Sequence, residues 1–221
     1  MIIQTVKGLN MSSQDCLKYG FIGPEKSGKS FAALWASRNE KTMIRLNPTH
    51  EAQMMDGATV VTNKAELAKA VLLADGKKKL HLCWNFPRSM YGFEALTWAA
   101  RVATACKHRC AIFINEGETC YPKQSKSAAM DGVNRMGRQH LAVPVYWTAQ
   151  RPRSIHLDLR DNTNRFHIFK NNKETYKTFV KSLAGSDFVD VVQGLEKYSF
   201  LYVDDVGTDP FVCKDIKKLK S

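Results

Sequence analysis

Short apolar runs alternate along this chain with stretches whose apolar residues recur at helical spacing. Strands buried on both faces read as nearly continuous apolar runs, whereas helices show a stripe three or four residues apart. The runs Leu17 to Ile22, Thr42 to Leu46, Lys79 to Trp84, Cys110 to Asn115, Leu141 to Thr148 and Arg165 to Lys170 predict strands. Thr59 to Thr62 is a short β-branched run, and Tyr198 to Val203 reads as an edge strand. Helices are predicted over Ser30 to Asn39, Lys64 to Ala74, Tyr91 to Lys107, Ser127 to Gln139, Lys173 to Leu183 and Asp187 to Gln193. Leu67, Ala70, Val71 and Ala74 form one stripe, and Phe93, Leu96, Ala100 and Ala103 another. Asn63, with Glu66 three residues on, gives a capping box. Strand and helix alternate, so the pattern predicts an α/β fold with a largely parallel sheet flanked by helices. No linker or repeat divides residues 1–221, which predicts a single domain with a short basic C-terminal tail, Lys214 to Ser221.

Composition narrows the class. A hydrophobic fraction of 44% supports a sizeable core and excludes a disordered chain. Lys and Arg number 33 against 21 Asp and Glu, a formal charge of +12. Such a surplus points to a polyanionic partner, nucleic acid before an anionic membrane. No run approaches the roughly 18 apolar residues of a membrane-spanning helix, and the N-terminal residues do not read as a signal peptide. The expectation is a cytosolic protein. Its six cysteines form no CxxC pair and no zinc spacing, so reduced thiols are expected. Cys106 to Cys110 reads as a helix end followed by a strand start.

The sharpest chemical signal is Gly23-Pro24-Glu25-Lys26-Ser27-Gly28-Lys29-Ser30, followed by Phe31. It is a G-x-x-x-x-G-K-S pattern between an apolar strand and a helix, the setting of a P-loop, or Walker A segment. The glycines allow backbone angles and close approach that side chains would block. Successive N–H groups and the positive end of the following helix then converge on phosphates. Lys29 supplies charge to the β- and γ-phosphates, and Ser30 offers its hydroxyl to Mg²⁺.

Such a cradle needs a carboxylate delivered by a buried strand. Cys110 to Ile114 runs into Asn115-Glu116 where an Asp-Glu pair is usual. Glu116 is the candidate base or orienter of the attacking water. Asn115 is a neutral and weaker candidate at the metal, and Glu118 is placed to compensate. Another strand ends in Thr148-Ala149-Gln150-Arg151-Pro152. Gln150 can orient water or sense the γ-phosphate without adding charge. Arg138, at the end of a predicted helix, is either a helix cap or an arginine reaching a neighbouring subunit's nucleotide, with Arg151 and Arg153 as alternatives.

The cradle, the strand ending in Glu116, Gly137-Arg138 and the Gln150-Arg151-Pro152 turn together resemble the FtsK–HerA branch of P-loop ATPases, over roughly residues 17 to 170. The resemblance implies a three-layer, RecA-like fold with an additional strand between the cradle strand and the carboxylate strand. It also implies ATP and Mg²⁺ as cofactors, Lys29, Glu116, Gln150 and Arg138 as catalytic residues, and a homo-oligomeric ring. Within the branch, the genome-packaging ATPases of tailless, membrane-containing viruses fit a short chain. They imply non-specific translocation of double-stranded DNA into a preformed capsid. Their setting is host cytoplasm and virion, at a capsid vertex or beside membrane-associated packaging proteins. Zot-like ATPases of filamentous phage assembly are the second choice. Two further classes stay open: a nucleotide-binding structural or regulatory module, which Asn115 motivates, and a small-molecule kinase.

A translocase grips DNA through phosphates, not base edges. Lys123 and Lys126, just beyond the carboxylate strand, are candidates, as are Arg151, Arg153 and Arg160. Lys77-Lys78-Lys79 reads as a solvated turn, and Trp35, Trp84, Trp98 and Trp147 as core or subunit contacts.

Overall fold

The computed structural model describes residues 18–135, 143–204 and 210–213. Their strands form one sheet. In chain order these are β1 (Lys18–Ile22), β2 (Thr42–Leu46), β3 (Thr59–Val61), β4 (Leu80–Trp84), β5 (Cys110–Ile114), β6 (Val145–Ala149), β7 (Arg165–Phe169), β8 (Phe200–Asp204) and β9 (Phe211–Cys213). The spatial order is β3-β4-β2-β5-β6-β1-β7-β8-β9. Pairing is parallel from β3 to β7 and antiparallel from β7 to β9. The strand β6 therefore stands between the cradle strand β1 and the carboxylate strand β5, as the additional-strand fold requires.

Right-handed crossovers explain where the helices lie. The chain moves one way across the sheet from β1 to β2 and from β2 to β3. The helices on those connections, α1 (Lys29–Ala36) and α2 (Ala52–Met55), share one face. It then moves the other way, and those connections carry α3 (Lys64–Leu73), α4 (Gly92–Ala105), α5 (Gly117–Cys120), α6 (Ala128–Arg135) and α7 (Leu157–Asp161) on the opposite face. Two more helices, α8 (Glu174–Ala184) and α9 (Asp187–Gln193), join that layer. Strand side chains alternate accordingly. Cys110, Ile112 and Ile114 point to the thicker layer, while Ala111 and Phe113 point to α1. Trp84 and Trp147 are fully buried core residues, and the Trp147 indole N–H donates to Thr163 Oγ1 at 2.9 Å.

Several sequence expectations change. Tyr198 to Val203 is not the edge: the strand begins at Phe200 and is flanked by β7 and β9. The three-residue β9 covers it, too short to show a period. The first helix stops at Ala36 instead of Asn39, because the Ser37 hydroxyl turns back to Ala33 O (2.9 Å) as the chain leaves the helix. The short helices α2, α5 and α7 lie in stretches for which the sequence pattern predicts no element. Cys106 caps α4 and Cys110 opens β5, as expected. Leu17, the residues after Arg135 in the helix predicted over Ser127 to Gln139, Leu141 and the basic tail lie outside the described residues.

Candidate nucleotide site

Parallel strands place their C-terminal ends on one edge of the sheet, where ligands of such folds gather. Register aligns those ends closely: Ile22 pairs with Ala149, Ile114 with Trp147 and Leu46 with Ile114. The loops that follow converge on a cavity of about 780 Å³, lined among others by Gly28, Lys29, Ser30, Glu51, Asn115, Glu116 and Gln150. Glu25, Lys26 and Phe31 also face it, whereas Pro24 and Ser27 face an adjoining cavity.

The glycine-rich loop leaves β1 with Gly23 N–H bonded to Ala149 O at 3.0 Å. A Cβ on Gly23 would stand 2.7 Å from both Phe169 Cβ and Ser27 Oγ, so only glycine fits this approach. Lys26 (φ 59°) and Gly28 (φ 95°) are left-handed. Such turns direct successive N–H groups toward one point. Lys29 and Ser30 then open α1, both buried. The Lys29 ammonium donates to Pro24 O at 3.4 Å, curled across the loop it serves.

The carboxylate strand ends on a tight network. Asn115 N–H bonds Leu46 O at 3.2 Å. Glu116 is left-handed (φ 53°) and its N–H donates to Thr148 Oγ1 at 3.1 Å. With that lone pair used, the Thr148 hydroxyl donates to Asn115 Oδ1 at 3.0 Å. Asn115 is 1% exposed. Its Oδ1, the atom a metal would use, is therefore engaged, and its Nδ2 is buried with no hydrogen-bond partner among the described residues. That orphaned donor suits an anionic oxygen. For Mg²⁺ the fitting oxygens are the Ser30 hydroxyl, the Glu116 carboxylate and the Glu51 carboxylate, whose oxygens accept from Thr49 Oγ1 (3.2 Å) and Gln53 Nε2 (2.6 Å) and keep further lone pairs; all three residues line the same cavity.

Glu51 was missed by sequence reasoning. It follows β2 in a turn that Asn47 builds: the buried Asn47 accepts from Glu51 N–H (3.0 Å) and donates to Glu51 O (3.1 Å) and Asn85 Oδ1 (2.9 Å). This clamp delivers the Glu51 carboxylate to the cavity beside Glu116. The only signal in the sequence was Asn47-Pro48, which marks a turn without saying where it leads. Glu118, by contrast, turns away from the cavity. Its Oε1 accepts from Gln150 N–H at 2.8 Å and Arg151 N–H at 3.3 Å.

Burial lowers the Lys29 pKa, while the charges of Glu118, Glu51, Glu116 and Glu25 oppose that shift. Burial raises the Glu116 pKa, and Glu51 and Glu118 push it further while Lys29 opposes them. A cation and carboxylates thus hold one another at a partly desolvated site, the setting for phosphate binding and water activation.

The adjoining cavity, about 670 Å³, lies on the other side of the loop, where Phe169, Asn171, Lys173 and Tyr198 line it. The Tyr176 hydroxyl donates to Ile22 O, with Phe169 O also within reach at 3.2 Å, pinning the adjacent ends of β1 and β7.

Four of the predicted phosphate-gripping residues come together from distant segments, while Arg160 lies on α7 paired with Asp161 at 3.1 Å. Lys123 N–H bonds Ser154 O and His156 N–H bonds Tyr121 O, each at 2.9 Å, with Pro122 and Ile155 bridged. Lys123, Lys126, Arg151 and Arg153 are exposed around this pairing. Lys77 to Lys79 form an exposed turn, with Lys77 N–H on Asp75 Oδ1 (2.9 Å). Arg138 lies outside the described residues.

No family model matches the chain, and no curated protein matches it. Solved structures do. The genome packaging NTPase B204 of Sulfolobus turreted icosahedral virus 2, in complex with sulfate, superposes with a TM-score of 0.72 at 14% identity, covering 92% of this chain and 98% of that one. The complex of that protein with ATP-gammaS gives 0.72 at 14% identity, covering 93% and 100%. B204 of Sulfolobus turreted icosahedral virus, a DNA-packaging ATPase, gives 0.68 at 17% identity, covering 92% and 99%. Over almost its whole length, this chain has the fold of the viral genome packaging NTPase B204.

Proposed function

We propose that this chain is an ATP-hydrolysing motor that drives double-stranded viral DNA into a preformed capsid. One observation carries the reading: a single cavity gathers Lys29, Ser30, Glu116 and Gln150 from three strand ends, and the loops leaving two of those ends present the basic residues. The fold shared with B204, a packaging NTPase crystallised with ATP-gammaS, supports it.

In this reading the N–H groups of the Gly23–Ser30 loop and the Lys29 ammonium hold the β- and γ-phosphates. The Asn115 amide donates to a phosphate oxygen. The adjoining cavity beside Phe169 and Tyr198 takes the base and ribose. Ser30, Glu116 and Glu51 would hold Mg²⁺, which would supply charge neutralisation at the phosphoryl group. Glu116 takes the proton of the attacking water. Gln150, at the end of β6, orients that water. Arg138 supplies the trans charge at a subunit boundary, which makes a homo-oligomeric ring the working form. Lys123, Lys126, Arg151 and Arg153 contact DNA phosphates without reading sequence. The ring works in the host cytoplasm and at the packaging vertex, where capsid or membrane-associated proteins receive it.

The test is ATP hydrolysis by the purified protein with and without linear double-stranded DNA. Stimulation by DNA, lost with nearly all turnover in Lys29→Ala, is the expected result. Turnover indifferent to DNA, with co-sedimentation on vesicles, would favour an export ATPase of the Zot kind. No turnover at all would leave a nucleotide-binding module.

A further inference from the structure

One carboxylate joins the nucleotide cavity to the basic loops without belonging to either. Glu118 sits in α5, two residues beyond Glu116. Its Oε1 holds the N–H groups of Gln150 and Arg151. Its Oε2 is buried with no hydrogen-bond partner among the described residues. Its negative charge opposes the lowering of the Lys29 pKa by burial. Beyond α5 the chain pairs with the segment after Arg151. Tyr121 stacks on His156 with ring centroids 4.5 Å apart, and Lys123 N–H bonds Ser154 O at 2.9 Å. One antiparallel bridge, Pro122 to Ile155, therefore ties the segment after α5 to the segment after Arg151. Glu118 ties their cavity end, and Lys123, Lys126, Arg151 and Arg153 lie on their exposed part.

We propose that Glu118 is the positioning residue that couples the nucleotide site to the polyanion-facing loops, so that DNA bound there accelerates hydrolysis through it. The proposal rests on the DNA-motor reading. A bound triphosphate draws the Lys29 charge toward its own oxygens and away from Glu118, which then acts on Gln150 and Arg151 alone. Loss of phosphate restores the pull of Lys29 on the carboxylate. Because Glu118 holds backbone N–H groups, any shift moves Gln150 and Arg151 as a unit. Forces on the basic loops travel back to Gln150 by the same bonds.

The experiment compares wild type, Glu118→Ala and Glu118→Gln in three measurements. These are affinity for a fluorescent ATP analogue, affinity for labelled double-stranded DNA by anisotropy at one salt concentration, and ATP turnover with and without DNA. Glu118→Gln keeps an oxygen for the N–H donors and removes the charge, so it carries the test if the alanine variant fails to fold. The proposal expects both variants to bind nucleotide and DNA within about threefold of wild type, while the DNA-stimulated to basal ratio falls toward one. A merely structural role would lower affinity and turnover together and leave that ratio alone. Wild-type stimulation preserved in both variants overturns the proposal and leaves the motor reading intact. Failure of the wild type to bind DNA overturns both.

Discussion

Thr148→Val tests how the Asn-Glu strand end is held. The Thr148 side chain is fully buried, and valine fills nearly the same volume, so no cavity opens. What disappears is one hydroxyl that accepts from Glu116 N–H (3.1 Å) and donates to Asn115 Oδ1 (3.0 Å). Each buried group left unsatisfied costs about 1–3 kcal/mol. Glu116 also stands at φ 53°, a left-handed state that costs a non-glycine residue about 1–2 kcal/mol. Without its hydroxyl anchor the peptide can relieve both costs by leaving that conformation, which caps the loss at about 2–4 kcal/mol. For a domain of this size that lowers the melting temperature by about 5–15 °C. Relaxation also withdraws the Glu116 carboxylate from the cavity, so kcat falls about 100-fold or more, the usual worth of a positioned base. Affinity for nucleotide, set by the Gly23–Ser30 loop, changes little. Thr148→Ser keeps the hydroxyl and restores turnover, giving up only about 1 kcal/mol for the lost buried methyl. Scanning calorimetry and steady-state turnover read the outcome. Wild-type melting and turnover in the valine variant would refute the hydrogen-bond account.

Other expectations follow from the same geometry. Glu116 works ionised, and its pKa is raised by burial and by the negative charge of Glu51. In the protein free of nucleotide and metal, Glu51→Gln removes one upward push and lowers the pH at which the Glu116 carboxyl titrates, read by carboxyl NMR; a titration that stays or rises contradicts the placement of Glu51. Lys123→Ala and Lys126→Ala should weaken DNA binding without regard to sequence. Each should reduce the slope of log affinity against log salt by about one, measured by anisotropy titrations. An unchanged slope would place the DNA path elsewhere.

The sheet was legible because buried parallel strands advertise themselves: Cys110 to Ile114 and the run ending at Ala149 are apolar on both faces. The cradle was legible because its glycines and lysine follow one another in sequence. What sequence could not place was whatever depends on a fold bringing separate turns together. Glu51 reaches the cavity only because β2 lies beside β5, a pairing no local pattern encodes. Glu118 looked like a spare ligand for the metal, yet a two-residue step along α5 turns it to the β6 end instead. The edge was misplaced because a three-residue strand has no periodicity, and its antiparallel return from β8 leaves no helix to announce it. Lys123, Lys126, Arg151 and Arg153 were found by charge, while the Pro122–Ile155 bridge that unites them was not.

The central claim is that the loop from Gly23 to Ser30 binds the phosphates that power the molecule. A crystal structure with magnesium and a non-hydrolysable ATP analogue tests it most directly. The account predicts the β- and γ-phosphates on the loop N–H groups, with Lys29 Nζ turned from Pro24 O onto them and Glu116 facing the γ-phosphate. A nucleotide bound elsewhere, or Lys29 still on Pro24 O beside an occupied loop, would contradict it.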